Sequence, residues 1–90
     1  PMVRHGNRAD IRISVHKSAA LAAQNFMMSM KAEGYDTCPM EGMDAKRIKK
    51  FLQIPRKGEV VMVIGCGPAA EEGIYSERFR IPNEEVIFEV

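Results

Sequence analysis

Two short stretches hold residues of the right type to do chemistry. One is Pro39-Met40-Glu41-Gly42. Its proline fixes φ and its glycine lets a ligand approach the backbone closely. A stretch of that shape can aim backbone N–H groups at a flat ligand. The other is Arg78-Phe79-Arg80, just ahead of Pro82, which reads as extended. Residues i and i+2 of an extended segment point to one side, so Arg78 and Arg80 can converge on a single anion. Guanidinium forks match phosphate oxygens in charge and geometry. On spacing alone, Glu41 reads as a surface carboxylate or loop brace, and the arginines as solvated or salt-bridged. No nucleophile–histidine–acid set is present, and no phosphate-binding glycine loop precedes a helix. No catalytic side chain is therefore assigned. His5 and His16 have no histidine or cysteine at ligand spacing, so no metal site is expected. Cys38 and Cys66 show no Cys-x-x-Cys spacing and read as reduced thiols of a cytoplasmic protein, with one disulfide as the alternative.

The elements that would position these stretches follow from periodicity and capping. Ser14 is placed as the N-cap of a first helix running to about Glu33. Val15, Ala19, Ala22, Ala23, Phe26, Met27 and Met30 share one face of it. Ala20, Leu21 and Met28 lie outside that face, so this helix needs cover on more than one side. Gly34 is a natural left-handed stop, and a nine-residue loop is expected from Gly34 to Gly42. Asp44 caps a second helix, with Met43 and Ile48 spaced as a hydrophobic staple and Pro55 as the end. Ala45, Ile48, Phe51 and Leu52 form its apolar face; Lys46, Arg47, Lys49 and Lys50 form a basic one. Arg56-Lys57-Gly58 is a turn. The β-branched run Val60-Val61-Met62-Val63-Ile64, between Glu59 and Gly67, predicts a central strand buried on both faces. Residues 1–12 read as an irregular basic connector. Residues 76–90 read as a C-terminal arm, in which Val86–Val90 are expected to form a short strand.

Composition narrows the class. Ninety residues allow one small domain, and 46% hydrophobic content fits a folded chain. A formal charge of +1 argues against a nucleic-acid or membrane partner for the chain as a whole. No apolar run approaches the ~18–20 residues that span a bilayer, and no signal-peptide pattern is expected. The fold class is α/β or α+β, built here from two helices, a central strand and a C-terminal extension.

Ala23-Gln24-Asn25-Phe26-Met27, then Gly34-Tyr35-Asp36-Thr37-Cys38-Pro39-Met40-Glu41-Gly42, resembles the C-terminal half of the FMN-dependent nitroreductase family. So does the tail Gly73-Ile74-Tyr75 with Arg78-Phe79-Arg80-Ile81-Pro82. The resemblance runs from about Ser14 to Val90 and covers about half of a usual family member; the arginine- and serine-rich FMN motif of the N-terminal half is absent. It implies a partial unit of the family's three-layer sandwich. It also implies an FMN cofactor, with the Glu41 and Gly42 N–H groups facing flavin N5 and O4. Pro39 and Met40 would then lie beside the ring, and Arg78 and Arg80 on the phosphate. Family members are intimate homodimers with FMN at the interface and C-terminal segments crossing to the partner.

The implied activity is an FMN-dependent NAD(P)H oxidoreductase working by ping-pong on nitroaromatic or quinone-like acceptors. Two other readings compete with it. One is a shortened, non-catalytic module that binds FMN or a protein and dimerises. The other is a small nucleic-acid-binding domain using Lys46, Arg47, Lys49 and Lys50, which the near-neutral charge and the lack of stacking aromatics disfavour.

Overall fold

The computed structural model describes residues 7–90. Helix α1 (Arg8–Ala32) is followed by strand β1 (Asp36–Met40), helix α2 (Ala45–Phe51) and strand β2 (Val63–Gly67). A 3-10 turn (Glu71–Gly73) and a one-turn helix α3 (Asn83–Val86) complete the chain.

The start of α1 differs from the sequence expectation. Asn7, not Ser14, is the N-cap: its side-chain oxygen accepts from the Asp10 N–H at 2.9 Å. Residues 8–12 of the expected connector are therefore helical, while residues 1–6 of it lie outside the described residues. Asn at the cap with Asp in the first turn satisfies orphan N–H groups and complements the helix dipole, which outweighs the weaker local signal at Ser14.

The other end of α1 is as expected. Gly34 has φ +90°. The Gly34 N–H donates to the Lys31 carbonyl at 3.0 Å, and the Tyr35 N–H to that of Met30 at 2.9 Å. Those two bonds are a complete Schellman closure. It reverses the chain into β1, so the expected nine-residue loop is in fact mostly a strand. β1 pairs antiparallel with β2, from Asp36 opposite Gly67 to Met40 opposite Val63. Pro39 sits inside this strand because β1 has only one partner; a proline lacking an N–H is tolerated along an open edge.

β2 forms three residues later than the apolar run that predicted it, and it is half-buried with one edge unpaired. Val60, Val61 and Met62 precede it as half-buried, irregular chain. Cys38 opposes Gly65 and Cys66 opposes Thr37. Neighbouring positions on a strand face opposite ways, so the two thiols lie on opposite sides of the two-stranded sheet. Both are free and exposed.

α1 packs against β1, and His16, Ala20, Ala23, Met27 and Met30 along it are half-buried. Their spacing of four and three residues is a single helical stripe. It is rotated from the expected one: Val15, Ala19, Ala22 and Phe26 are exposed. One long-range ion pair and one local pair tie α1 to the rest of the chain. Arg12 meets Glu59 at 2.6 Å, and Lys31 meets Asp36 at 2.9 Å.

Among the described residues none is buried. The accessible surface is 8738 Å², against ~5,300 Å² for a compact chain of this mass. The radius of gyration is 17.0 Å, against ~12 Å for a compact chain of this length. Leu21 (73% exposed), Met28 (63%) and Phe51 (85%) show how much apolar surface is left bare. The expected terminal strand does not form: Asn83–Val86 turn helical, led by Pro82 and the Glu84–Glu85 pair, and Val86–Val90 are exposed. No helix among the described residues is long and apolar enough to cross a membrane.

Candidate functional site

The site is built outward from the exit of β1. Pro39 and Met40 are the last two residues of that strand, opposite Ile64 and Val63. Glu41 and Gly42 follow in the short link to α2, and both are exposed. The link is anchored on both sides. Behind it is the β1–β2 ladder. Ahead of it Asp44 caps α2, its side chain accepting from the Arg47 N–H at 3.2 Å. Met43 and Ile48 are both half-buried at the staple positions.

Two properties of this link bear on ligand binding. Among the described residues, the N–H groups of Glu41 and Gly42 have no hydrogen-bond acceptor. They are consecutive backbone donors held by regular structure on either side. The second property is space: a Cβ built on Gly42 would meet nothing within 4 Å, and its φ is not left-handed. Neither packing within the chain nor backbone strain requires glycine there.

Arg78 and Arg80 lie in the exposed segment between the 3-10 turn and α3. Among the described residues they make no ion pair and no side-chain hydrogen bond, and no such bond ties their segment to the β1 exit. Pro39, Met40, Glu41 and Gly42 are consecutive and so adjacent along the chain. The two arginines are not joined to them within one chain.

A groove of about 450 Å³ lies at the opposite end of the two-stranded sheet, lined by Asp36, Thr37, Cys66, Pro68 and Ala70 among others, and none of the six candidate residues borders it. No group of three or more His, Cys, Asp or Glu side chains is placed to hold a metal among the described residues.

Two carboxylates are electrostatically tuned, and both fasten α1. A hydrogen bond from Lys31, reinforced by its charge, holds the Asp36 carboxyl below its ordinary range. A hydrogen bond from Arg12 does the same for Glu59. His16 Nε2 lies 3.5 Å from the same Glu59 oxygen. Arg12 and Glu59 are 47 residues apart, and no local sequence signal could have paired them.

The nitroreductase family model matches residues 1–68. The chain belongs to the nitroreductase family. The matched span includes the Pro39–Gly42 link and stops short of Arg78 and Arg80, so the resemblance of the tail is not carried by it. The chain is 41% identical over 71 residues to MhqN of Bacillus subtilis, provisionally named an NAD(P)H nitroreductase. That alignment takes in 79% of this chain and 34% of MhqN. It is 30% identical over 72 residues to the protein DrgA of Synechocystis, covering 80% of this chain and 34% of DrgA. Its structure superposes with a TM-score of 0.84 on ydfN of Bacillus subtilis, provisionally described as a nitroreductase, at 36% identity over 93% of this chain and 41% of that one. A provisionally named NAD(P)H:FMN oxidoreductase from Staphylococcus epidermidis gives a TM-score of 0.81 at 26% identity, over 97% of this chain and 40% of that one. The fold is accordingly the α+β fold of nitroreductases. The matched stretch spans about a third of the curated relatives and about two fifths of the solved structures, so the chain corresponds to part of a family member.

Proposed function

We propose that this chain forms the flavin-edge portion of an FMN-dependent NAD(P)H oxidoreductase of the nitroreductase type, which passes electrons to nitroaromatic or quinone-like acceptors. The observation that carries this reading is the pair of unpaired backbone donors at Glu41 and Gly42, with open space over Gly42. They suit a planar ring whose N5–O4 edge gains electron density on reduction. Donors already fixed by a strand on one side and a capped helix on the other stabilise that charge without reorganising.

FMN, when bound, supplies the redox chemistry, accepting a hydride and returning electrons in separate half-reactions. The chain's own residues bind and orient. Pro39 and Met40 offer apolar contact beside the ring. Arg78 and Arg80 offer two free guanidinium groups for the phosphate. No side chain here has to move a proton, so no catalytic acid or base is assigned. Because the arginines are not joined to the β1 exit within one chain, the reading makes the site bipartite. Glu41 and Gly42 of one copy serve the ring, and Arg78 and Arg80 of a second copy reach the phosphate. A cytoplasmic homodimer is the setting this implies.

A second reading is favoured by one observation, the absence of any buried residue among those described. In it the chain is a shortened, non-catalytic module that dimerises and binds FMN or a protein. One sequence of measurements separates the two. The visible absorption spectrum of the purified chain is recorded during an FMN titration, followed by NADH and NADPH turnover with a quinone. Bound flavin near one per chain with turnover supports the oxidoreductase. Bound flavin without turnover supports the module, and no bound flavin removes both FMN readings.

A further inference from the structure

The far end of α2 carries a charge arrangement that the flavin reading does not use. Residues 45–57 hold six cations, Lys46, Arg47, Lys49, Lys50, Arg56 and Lys57, and no acid. The fold concentrates them. Gln53 adopts a left-handed φ of 54° and turns the chain back on the helix. The Ile54 N–H donates to the Lys49 carbonyl at 2.9 Å, and Lys49 Nζ donates to the Arg56 carbonyl at 2.8 Å. The Gly58 N–H closes the next turn on the Pro55 carbonyl at 2.8 Å. This turn is tight: a Cβ on Gly58 would lie 2.7 Å from Ile54 Cγ2. Arg56 and Lys57 are thereby held beside the last turn of α2. Lys46 and Lys50, at i and i+4, stand above one another on the same side of the helix.

Complementing the helix dipole explains cations in the last turn, which are Lys49 and Lys50. It does not explain Lys46, Arg56 and Lys57, which have no acidic partner among the described residues. Like charges gathered this way repel unless an anion lies among them. Of the nearby acids, Asp44 caps the start of α2 and lies 4.0 Å from Arg47, with Glu41 just before it; Lys46 is in that first turn, whereas Lys50, Arg56 and Lys57 lie about 10 Å further on, past a seven-residue helix. Glu59, just past the turn, is engaged by Arg12 and His16.

We propose that Lys46, Lys50, Arg56 and Lys57 receive the 2′-phosphate of the nicotinamide nucleotide, so that NADPH is the preferred reductant. The proposal rests on the oxidoreductase reading above and deepens it. α2 begins three residues after Gly42, so the cationic end lies one short helix from the proposed flavin edge. A reductant with its nicotinamide at that edge carries its adenosine outward. NADPH differs from NADH only in a dianionic phosphate on that adenosine.

The test needs no flavin. The chain is titrated calorimetrically with 2′,5′-ADP, 3′,5′-ADP and 5′-AMP at one fixed ionic strength. The expected result is that 2′,5′-ADP binds at least tenfold more tightly than either of the others. Lys50→Gln and Arg56→Gln should each weaken it about fivefold while leaving 5′-AMP unchanged; circular dichroism of each variant confirms folding, and Lys57→Gln stands in for one that unfolds. Equal binding of the two bisphosphates would mean a general anion field and overturns the proposal, as does failure of 2′,5′-ADP to bind. An FMN titration on the same sample is read separately. Selective 2′,5′-ADP binding without FMN binding would refute the flavin reading and leave this site standing.

Discussion

Gly42→Val is the substitution that isolates the ligand from the protein. In most glycine positions a side chain disturbs the fold and the ligand together. Here the added Cβ meets nothing within 4 Å and the backbone is not left-handed. The variant should therefore melt within about 0.5 kcal/mol of the parent, as exposed substitutions do. The effect on flavin should be large. Valine places three carbons where the ring edge has to approach the backbone, and the ring is pushed off the Glu41 and Gly42 N–H groups. At about 1–1.5 kcal/mol for each hydrogen bond lost, FMN affinity should fall roughly 30- to 150-fold. The assay is fluorescence-quenching titration of FMN into both proteins, alongside thermal melting by circular dichroism. Unchanged FMN affinity with unchanged melting would remove the link from the flavin site. A large loss of stability would refute the reading of Gly42 as unconstrained within the chain.

Four further outcomes are expected. Replacing Arg78 and Arg80 together with alanine should weaken FMN about 30-fold or more while leaving riboflavin, which lacks the phosphate, unaffected; equal losses for both ligands would rule out a phosphate role. Gln53→Gly should raise stability by about 0.5–1 kcal/mol, because Gln53 holds a left-handed conformation that glycine adopts freely; a lower melting temperature would contradict this. Gly34→Ala should cost about 1 kcal/mol for the same reason, since its φ is +90° and no neighbour is crowded, and an unchanged melt would count against it. Acid should loosen α1. The folded-state carboxyls of Asp36 and Glu59 are depressed by Lys31 and Arg12, so their stabilisation is present above the ordinary carboxylate range and lost as pH falls through the depressed values. Melting scans from pH 7 down to 3 should show that loss, smaller in Asp36→Asn and weakened by salt; an identical acid profile in the variant would remove Asp36 from the effect.

Much of the local structure was legible because its causes are local. Gly34 as a helix stop and Asp44 as a cap depend on the residues within one turn of them, and both are where the sequence puts them. What the sequence could not decide depends on partners far along the chain. Asp36–Met40 read as loop because Pro39 looks like a breaker; it is a strand because β2 lies beside it and its other edge is open. α1 carries apolar residues nearly all round, so two stripes compete on equal terms, and only the position of the sheet selects the one through His16, Ala23 and Met30. The end of α2 at Phe51, well before Pro55, was hidden because the left-handed residue just past its cap is Gln53, and glutamine carries no left-handed preference. The sequence by itself determined the Gly34 stop, the Asp44 cap and the family. Tertiary structure alone decided which apolar faces are covered, and that Arg78 and Arg80 are not joined to the link within one chain. Short-range hydrogen bonds and dihedral preferences are properties of a few neighbouring residues, whereas coverage and convergence are properties of whatever else occupies the space around them.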